Sequence, residues 1–318
     1  MNNIMFSILI PAFKATFLKK CINSILSQTY ENYEILVVDD ASPENIGEIV
    51  LSYTDLRIRY YRNEKNSGAV DVVDNWNKCL ELAKGDFIIC MGDDDMLAPM
   101  ALNDYVVLIE RYPNVDLFHS RVKKIDENDG FIELTDVRPE YESVLSLIWH
   151  RMAYRQQYIG DYLFRTSALR NVGGFFKLPY AWASDDISTY LVAKNNGVVH
   201  TNSPNFFYRC NRKTITMSGD ADVKLKALEL TDGWYREFID AYHPKDETDA
   251  MMKVMIEKGL KKYSLRQKNN IIMRDMYKSN GCSCLKWFFC RKKFNLPVPL
   301  IFFAFISFLK MKKVNTQS

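Results

Sequence analysis

Phe87-Ile-Ile-Cys-Met-Gly-Asp-Asp-Asp-Met-Leu-Ala-Pro99 is the stretch on which the fold turns. Five consecutive apolar residues without polar alternation read as a strand covered on both faces, stopped by Gly92 and three adjacent carboxylates. A helix is expected after Pro99. The same rhythm repeats toward the N-terminus. Ser7-Ile-Leu-Ile10 ends at Pro11, and Glu34-Ile-Leu-Val-Val38 ends at Asp39-Asp40. Helical spacing of apolar residues places helices between the strands over 16–27, 44–53 and 68–83, with a further strand over 57–61. Strands over 115–119, 121–125, 158–164 and 198–208 and a helix from Ser184 follow. Beyond Asp220 the chain reads as helical to about Lys278. Alternating strands and helices predict an α/β fold, a mainly parallel sheet with helices on both faces, followed by a helical C-terminal extension. In such sheets ligands bind beyond the carboxyl ends of the strands. The polar residues collect there: Pro11-Ala-Phe13, Asp39-Asp40, Asn66-Ser-Gly68 and Asp93–Asp95.

Composition narrows the classes. The chain has 318 residues, 47% of them hydrophobic and 25% charged, which is globular and long enough for a large core. Its formal charge of +3 hides an asymmetry. Residues 1–252 carry 27 Lys and Arg against 37 Asp and Glu, whereas 253–318 carry 15 against 2. Seven scattered cysteines imply no disulfide framework and favour a reducing, cytoplasmic setting. The apolar start lacks a basic segment and reads as a strand rather than a signal peptide. No run reaches the roughly 18 apolar residues of a spanning helix. G-x-G-x-x-G and the P-loop pattern are absent, which argues against NAD enzymes and P-loop NTPases.

Three neighbouring carboxylates repel one another, and a hard divalent cation removes that conflict. Alone, the run also suits a solvated loop with a helix cap, just as Ser184-Asp185-Asp186 suits an ordinary helix start. The ordered set is more specific. Ser7-Ile-Leu-Ile-Pro-Ala-Phe13, Ser24-Ile-Leu-Ser-Gln-Thr-Tyr30, Tyr33 to Ser42, Asn66-Ser-Gly68, Asn75-Trp-Asn77, Ala83 to Ile88, Asp93–Asp95, Gly173-Gly-Phe175 and Trp182-Ala-Ser-Asp-Asp186 together resemble the family-2 glycosyltransferases.

That resemblance implies the GT-A fold, a nucleotide-sugar donor, usually UDP-linked, a Mn²⁺ or Mg²⁺ ion, and transfer with inversion. It implies a catalytic domain over 1–219, with a nucleotide half to about 120 and an acceptor half after it, and an extension over 220–318. It places Pro11, Ala12 and Phe13 at the nucleotide pocket, with Asn66 and Gly68 beside it. Asp39 goes to the uracil and Asp93 to the ribose or metal shell. Asp94 becomes the principal metal ligand with Asp95 beside it, while an alternative register pairs Asp93 with Asp95. Asp186 becomes the base that deprotonates the acceptor hydroxyl, and Asp185 its positioning neighbour. One of Arg209, Arg212 and Lys213 is assigned to the diphosphate, a solvated face being the other reading. The acceptor implied is a glycan or lipid-linked oligosaccharide. Aromatic residues flanked by lysines over 285–313 predict a surface for the inner face of an anionic membrane, the other reading being a helix docked on the body. No motif points to nucleic acid. Two alternative functions remain: an inactive transferase-like membrane scaffold, and a nucleotidyltransferase that makes sugar nucleotides.

Overall fold

The computed structural model describes residues 4–211 and 219–315. The chain separates into two compact units, Met1–Lys177 with Ser184–Arg212, and Leu178–Ala183 with Lys213–Ser318.

The first unit is built on a sheet with ten strands among the described residues. These are β1 (Phe6–Ala12), β2 (Tyr33–Asp39), β3 (Ile58–Arg62), β4 (Phe87–Cys90), β5 (Met96–Leu97), β6 (Leu117–Ile125), β7 (Phe131–Leu134), β8 (Tyr141–Glu142), β9 (Tyr162–Arg165) and β10 (Val198–Arg209). Strands β3, β2, β1 and β4 run parallel in that spatial order. Ala12 pairs with Asp39, so the ends of β1 and β2 lie side by side. Beyond β4 the sheet turns mixed, because β9 inserts antiparallel to both β4 and β6. Strand β10 then returns parallel to β6.

Helices α1 (Leu18–Leu26), α2 (Ile46–Leu51), α3 (Val72–Leu82), α4 (Ala101–Arg111), α5 (Val144–Met152), α6 (Thr166–Asn171) and α7 (Ser184–Ala193) surround it. Alternation along the strands explains the layers. Ile8, Ile10, Ile35, Val37, Phe87 and Ile89 share one core with Cys21, Ile22 and Ile25 of α1 and Leu102, Tyr105 and Ile109 of α4. Helix α3 packs on β1 and β2 through a stripe of Val73, Cys79 and Leu80. Each such buried aliphatic side chain contributes about 1.5–3 kcal/mol relative to exposure.

Two features differ from the sequence reading. Strand β6 is continuous where two strands were expected, because the polar residues His119 and Ser120 are buried instead of marking a turn. Helix α5 was not foreseen; Ser143 caps it by accepting from the Ser146 amide at 3.3 Å.

In the second unit, Pro244 splits the long helix expected after Asp220 into α8 (Ala221–Ala241) and α9 (Glu247–Lys278). Asp220 and Asp246 cap the two starts. Helices α10 (Ser283–Cys290) and α11 (Val298–Asn315) complete it. Ile301, Ala304 and Phe308 of α11 join Trp287, Phe294, Leu228 and Ile272 in one core. The indole of Trp287 donates to Asp275 at 2.9 Å. Phe302 and Phe303 on the other side of α11 are 63% and 61% exposed. Among the described residues no helix is long and apolar enough to cross a membrane.

Candidate active site

The acidic loop between β4 and β5 is the hub of the strand ends. Asp93 Oδ2 accepts from the amides of Phe13 and Lys14, each at 2.7 Å, which ties it to the loop after β1. That loop is tied in turn to the one after β2. The Ser42 hydroxyl donates to the Phe13 carbonyl at 2.6 Å, and the Ala15 amide donates to Glu44. Asp94 accepts from the Asn211 side-chain amide, and Asp95 Oδ1 accepts from the Arg209 amide at 3.0 Å. Burial and the neighbouring Asp94 charge push Asp93 up to about 6. Burial raises Asp94 and Asp95 as well, and Asp94 adds to the rise of Asp95.

Gly92 makes this crowding sterically feasible. A Cβ there would lie 2.8 Å from Asp94 Oδ1 and 3.0 Å from Asp95 Oδ2. Two oxygens from different carboxylates thus converge on a space that only glycine leaves open. Oxygen donors with raised proton affinity suit Mg²⁺ or Mn²⁺, which complete their shell with water and substrate phosphate. No cage of three or more His, Cys, Asp or Glu side chains occurs among the described residues.

In the nucleotide half, Pro11 and Ala12 close β1, and Phe13 is exposed at its end. Asp39 is fully buried: its carboxylate accepts from the Ser42 amide and Tyr60 hydroxyl, each at 2.8 Å, and pairs with Arg62. Asp40 takes Asn63 and both the amide and hydroxyl of Ser67. Gly68 has φ +76°, a conformation suited to glycine, and its amide donates to the Asn66 side chain. The amides of Ser67 and Gly68 are therefore engaged within the loop rather than aimed at a phosphate.

Arg209 differs from its expected role at the diphosphate. It is 1% exposed, and its guanidinium donates to the carbonyls of Asp94 and Asp126, at 2.8 and 2.9 Å, and to Asp129 at 2.6 Å. Its plane lies 4.4 Å from the Phe17 ring centroid. Arg209 braces the acidic loop from behind. Arg212 and Lys213 lie outside the described residues.

The second acidic pair opens α7. Asp186 is 1% exposed, and Arg151 Nε meets its two oxygens at 2.9 and 3.0 Å, with the Gln157 amide as a further donor. Asp185 is only half-buried and accepts from the Asp186 amide at 2.9 Å. Burial and the Asp186 charge push Asp185 up to about 7, against the opposing effect of Arg151. Gln157 leads inward to Tyr162, and Tyr162 to the buried Arg138. Arg151 and Gln157 escaped the sequence reading. The signal for Arg151 was an apolar run after Ser143 that ends in His150-Arg151, as capped helices do.

Tyr208 lies on β10 next to Arg209, whose amide holds Asp95. Its phenol is raised by burial and by the charges of Asp95, Asp94 and Asp185, and its ring stacks on Tyr158 at 4.0 Å.

Comparison with known proteins agrees with this geometry. The family model described as Glycosyl transferase family 2 matches residues 7–171. The chain is 29% identical over 171 residues to glycosyltransferase GlyG of Streptococcus pneumoniae serotype 4, covering 52% of this chain and 53% of that one. It is 31% identical over 129 residues to the UDP-Glc:alpha-D-GlcNAc-diphosphoundecaprenol beta-1,3-glucosyltransferase WfgD of Escherichia coli, covering 40% and 49%. The chain therefore spans about half the length of the curated relatives it matches. Among solved structures, S. aureus TarS 1-349 in complex with UDP-GlcNAc superposes with a TM-score of 0.65 at 14% identity, over 98% of this chain and 92% of that one. The mannosyltransferase PcManGT from Pyrobaculum calidifontis, in complex with GDP-Man and Mn2+, gives 0.57 at 13% identity, over 96% and 86%. With more than half of its length matched by the family model and almost all of it matched in fold, the chain belongs to glycosyl transferase family 2 and has the GT-A fold.

Proposed function

We propose that the protein transfers a sugar from a nucleotide-sugar, UDP-linked by preference, to a hydroxyl of a glycan or lipid-linked acceptor, with inversion at the anomeric carbon. The observation that carries this is the convergence of Asp94 and Asp95 oxygens over Gly92 at the strand ends, with Asp93 tied to the amides of Phe13 and Lys14. In this reading Asp94 and Asp95 neutralise the leaving diphosphate, and the Asp185–Asp186 pair takes the acceptor proton. The curated relative WfgD, whose name gives a UDP-sugar donor and a diphosphate-lipid acceptor, supports the substrate class.

The chain's residues divide the work. Asp93 fixes the loop after β1 against the acidic loop and so sets the floor of the nucleotide pocket. Pro11, Ala12 and Phe13 line that pocket; the resemblance assigns Asp39 to the base, and because its buried carboxylate is held by Ser42, Tyr60 and Arg62, it would act by positioning that end of β2. Asp94 and Asp95 hold the divalent cation, which when bound neutralises charge on the departing diphosphate. Arg209 keeps both carboxylates in place. The acceptor hydroxyl attacks from the face opposite the leaving group, and a carboxylate of the Asp185–Asp186 pair removes its proton. The resemblance gives that role to Asp186; access and raised proton affinity favour Asp185, with Asp186 locked by Arg151 as its positioning neighbour.

Calorimetric titration with UDP, GDP, CMP and dTDP, each with and without Mn²⁺, tests the reading. Selective, metal-enhanced UDP binding is the expected result. Selective binding of another nucleotide changes the donor class, and no binding by the folded protein removes the transferase reading in favour of a scaffold.

A further inference from the structure

The helical unit contains a cleft of about 580 Å³ between α8 and α9, closed at one side by the connection from α10 to α11. Its charge is unbalanced. Arg236, Lys261, Lys268 and Lys293 line it, against Glu229 and Asp232. Asp232 accepts from the Ser264 hydroxyl and also feels the charges of Lys268 and Arg236, so one carboxylate is shared among the cations. Lys268 is 6% exposed; its ammonium donates to the Phe294 carbonyl at 2.9 Å and forms no ion pair among the described residues. An ammonium has three donors, and the bond to the Phe294 carbonyl uses one of them. Arg236, Lys261 and Lys293 stand exposed at the rim.

Gly233 supplies an independent observation. It lies inside α8, where glycine is less favourable than alanine because its backbone loses more freedom. Packing does not require it, because a Cβ at this position would meet nothing within 4 Å. It lines the cleft one turn from Arg236 and leaves that wall open. The protein thus keeps a destabilising residue whose visible effect is room beside a surplus of cationic groups.

We infer that this cleft binds a phosphate- or diphosphate-bearing group. Arg236 offers a planar fork matched to phosphate oxygens, Lys261 and Lys293 offer mobile point charges, and buried Lys268 fixes the inner end. The site lies wholly within the helical unit and does not depend on the sugar-transfer reading. Two sources share this chemistry: a soluble phosphate compound and the headgroup of a lipid. Lys293 sits on the connection between α10 and α11, whose outward residues Phe289, Phe302 and Phe303 are exposed, so a headgroup at a bilayer surface is within the chemistry of the unit.

The test uses the full-length protein, Arg236→Gln/Lys261→Gln, and Gly233→Leu. The first variant removes charge from exposed positions; the second keeps every charge and fills the cleft. Pyrophosphate in the presence of EDTA is titrated into each, and sedimentation is measured with phosphatidylcholine vesicles with and without phosphatidylglycerol. Pyrophosphate affinity is expected to fall at least about tenfold in both variants, the size of one lost charge-assisted hydrogen bond. If binding to phosphatidylglycerol vesicles falls in parallel and pyrophosphate competes for it, the source is a lipid headgroup. If only pyrophosphate binding depends on the cleft, the source is soluble. Equal pyrophosphate binding by the parent and Gly233→Leu overturns the inference, as does no binding of pyrophosphate or phosphatidylglycerol by the parent.

Discussion

Asp186 gives its carboxylate to Arg151 and Gln157, while Asp185, one residue earlier, gives one oxygen to a neighbouring amide and keeps access to solvent. A general base typically contributes 10²–10⁴-fold, so Asp185→Asn is expected to lower kcat by about that factor with UDP affinity changed less than about twofold. The rate should rise with pH and reach half its plateau near 7, because only the ionised carboxylate accepts a proton and Asp185 is pushed up to about 7. Near-normal turnover by Asp185→Asn with a dead Asp186→Asn would return the role to Asp186. Both outcomes are read in one steady-state experiment with calorimetry alongside.

At the scale of the element, the loop between β4 and β5 is held open by one glycine and held in place by one arginine. Gly92→Ala inserts a methyl group 2.8 Å from Asp94 Oδ1, so the carboxylates must part. Metal-dependent nucleotide affinity is expected to fall about tenfold or more while the melting temperature moves little, since the loop and not the core absorbs the change. Arg209→Leu acts in the opposite way. It leaves the Asp94 carbonyl without its guanidinium donor and takes one of two donors from the Asp126 carbonyl and one of two cations from Asp129, and is expected to destabilise the fold by about 2 kcal/mol in denaturant titration. A Gly92→Ala protein with unchanged Mn²⁺ dependence would remove Asp94 and Asp95 as ligands.

Across the molecule, acidic groups with raised proton affinity make stability depend on pH. Unfolded aspartates ionise near 4, so between that value and the folded ones the native state holds more protons, and stability falls as pH rises. With Asp93 near 6 and Asp185 near 7, the melting temperature without divalent metal is expected to decline from pH 5 to 8. Mn²⁺ should recover part of the loss at pH 8 by taking the place of the protons at Asp93–Asp95; a flat profile would show that the native site is solvated. In the second unit, membrane binding is tested by point substitution. Trp287, Phe294, Ile301 and Phe308 are core residues, so deleting the tail removes the unit's packing. Phe289→Ser/Phe302→Ser/Phe303→Ser alters only exposed positions, and binding to anionic vesicles is expected to fall with the melting temperature preserved.

By itself the sequence determined the strand–helix alternation, the parallel strands β1 to β4, and the gathering of Asp39, Asp93–Asp95 and Phe13 at their ends. Those features follow from local periodicity and from where apolar runs stop, and both can be read residue by residue. The opening of α7 at Ser184 was legible for the same reason. Only the tertiary structure decided what the charged side chains do. The sequence assigned Asp186 to proton removal and Arg209 to the diphosphate or a solvated face, yet both are buried, because groups 80 or more residues away for Arg209 and about 30 away for Asp186 converge on them. Strand β9 enters against the direction of β4, an orientation that no local pattern of its own residues records. The cationic cleft was likewise hidden: Arg236, Lys261, Lys268 and Lys293 lie on three segments, and only helix packing brings them to one wall. Sequence patterns record which residues avoid water; which distant charges they meet is fixed when the chain closes.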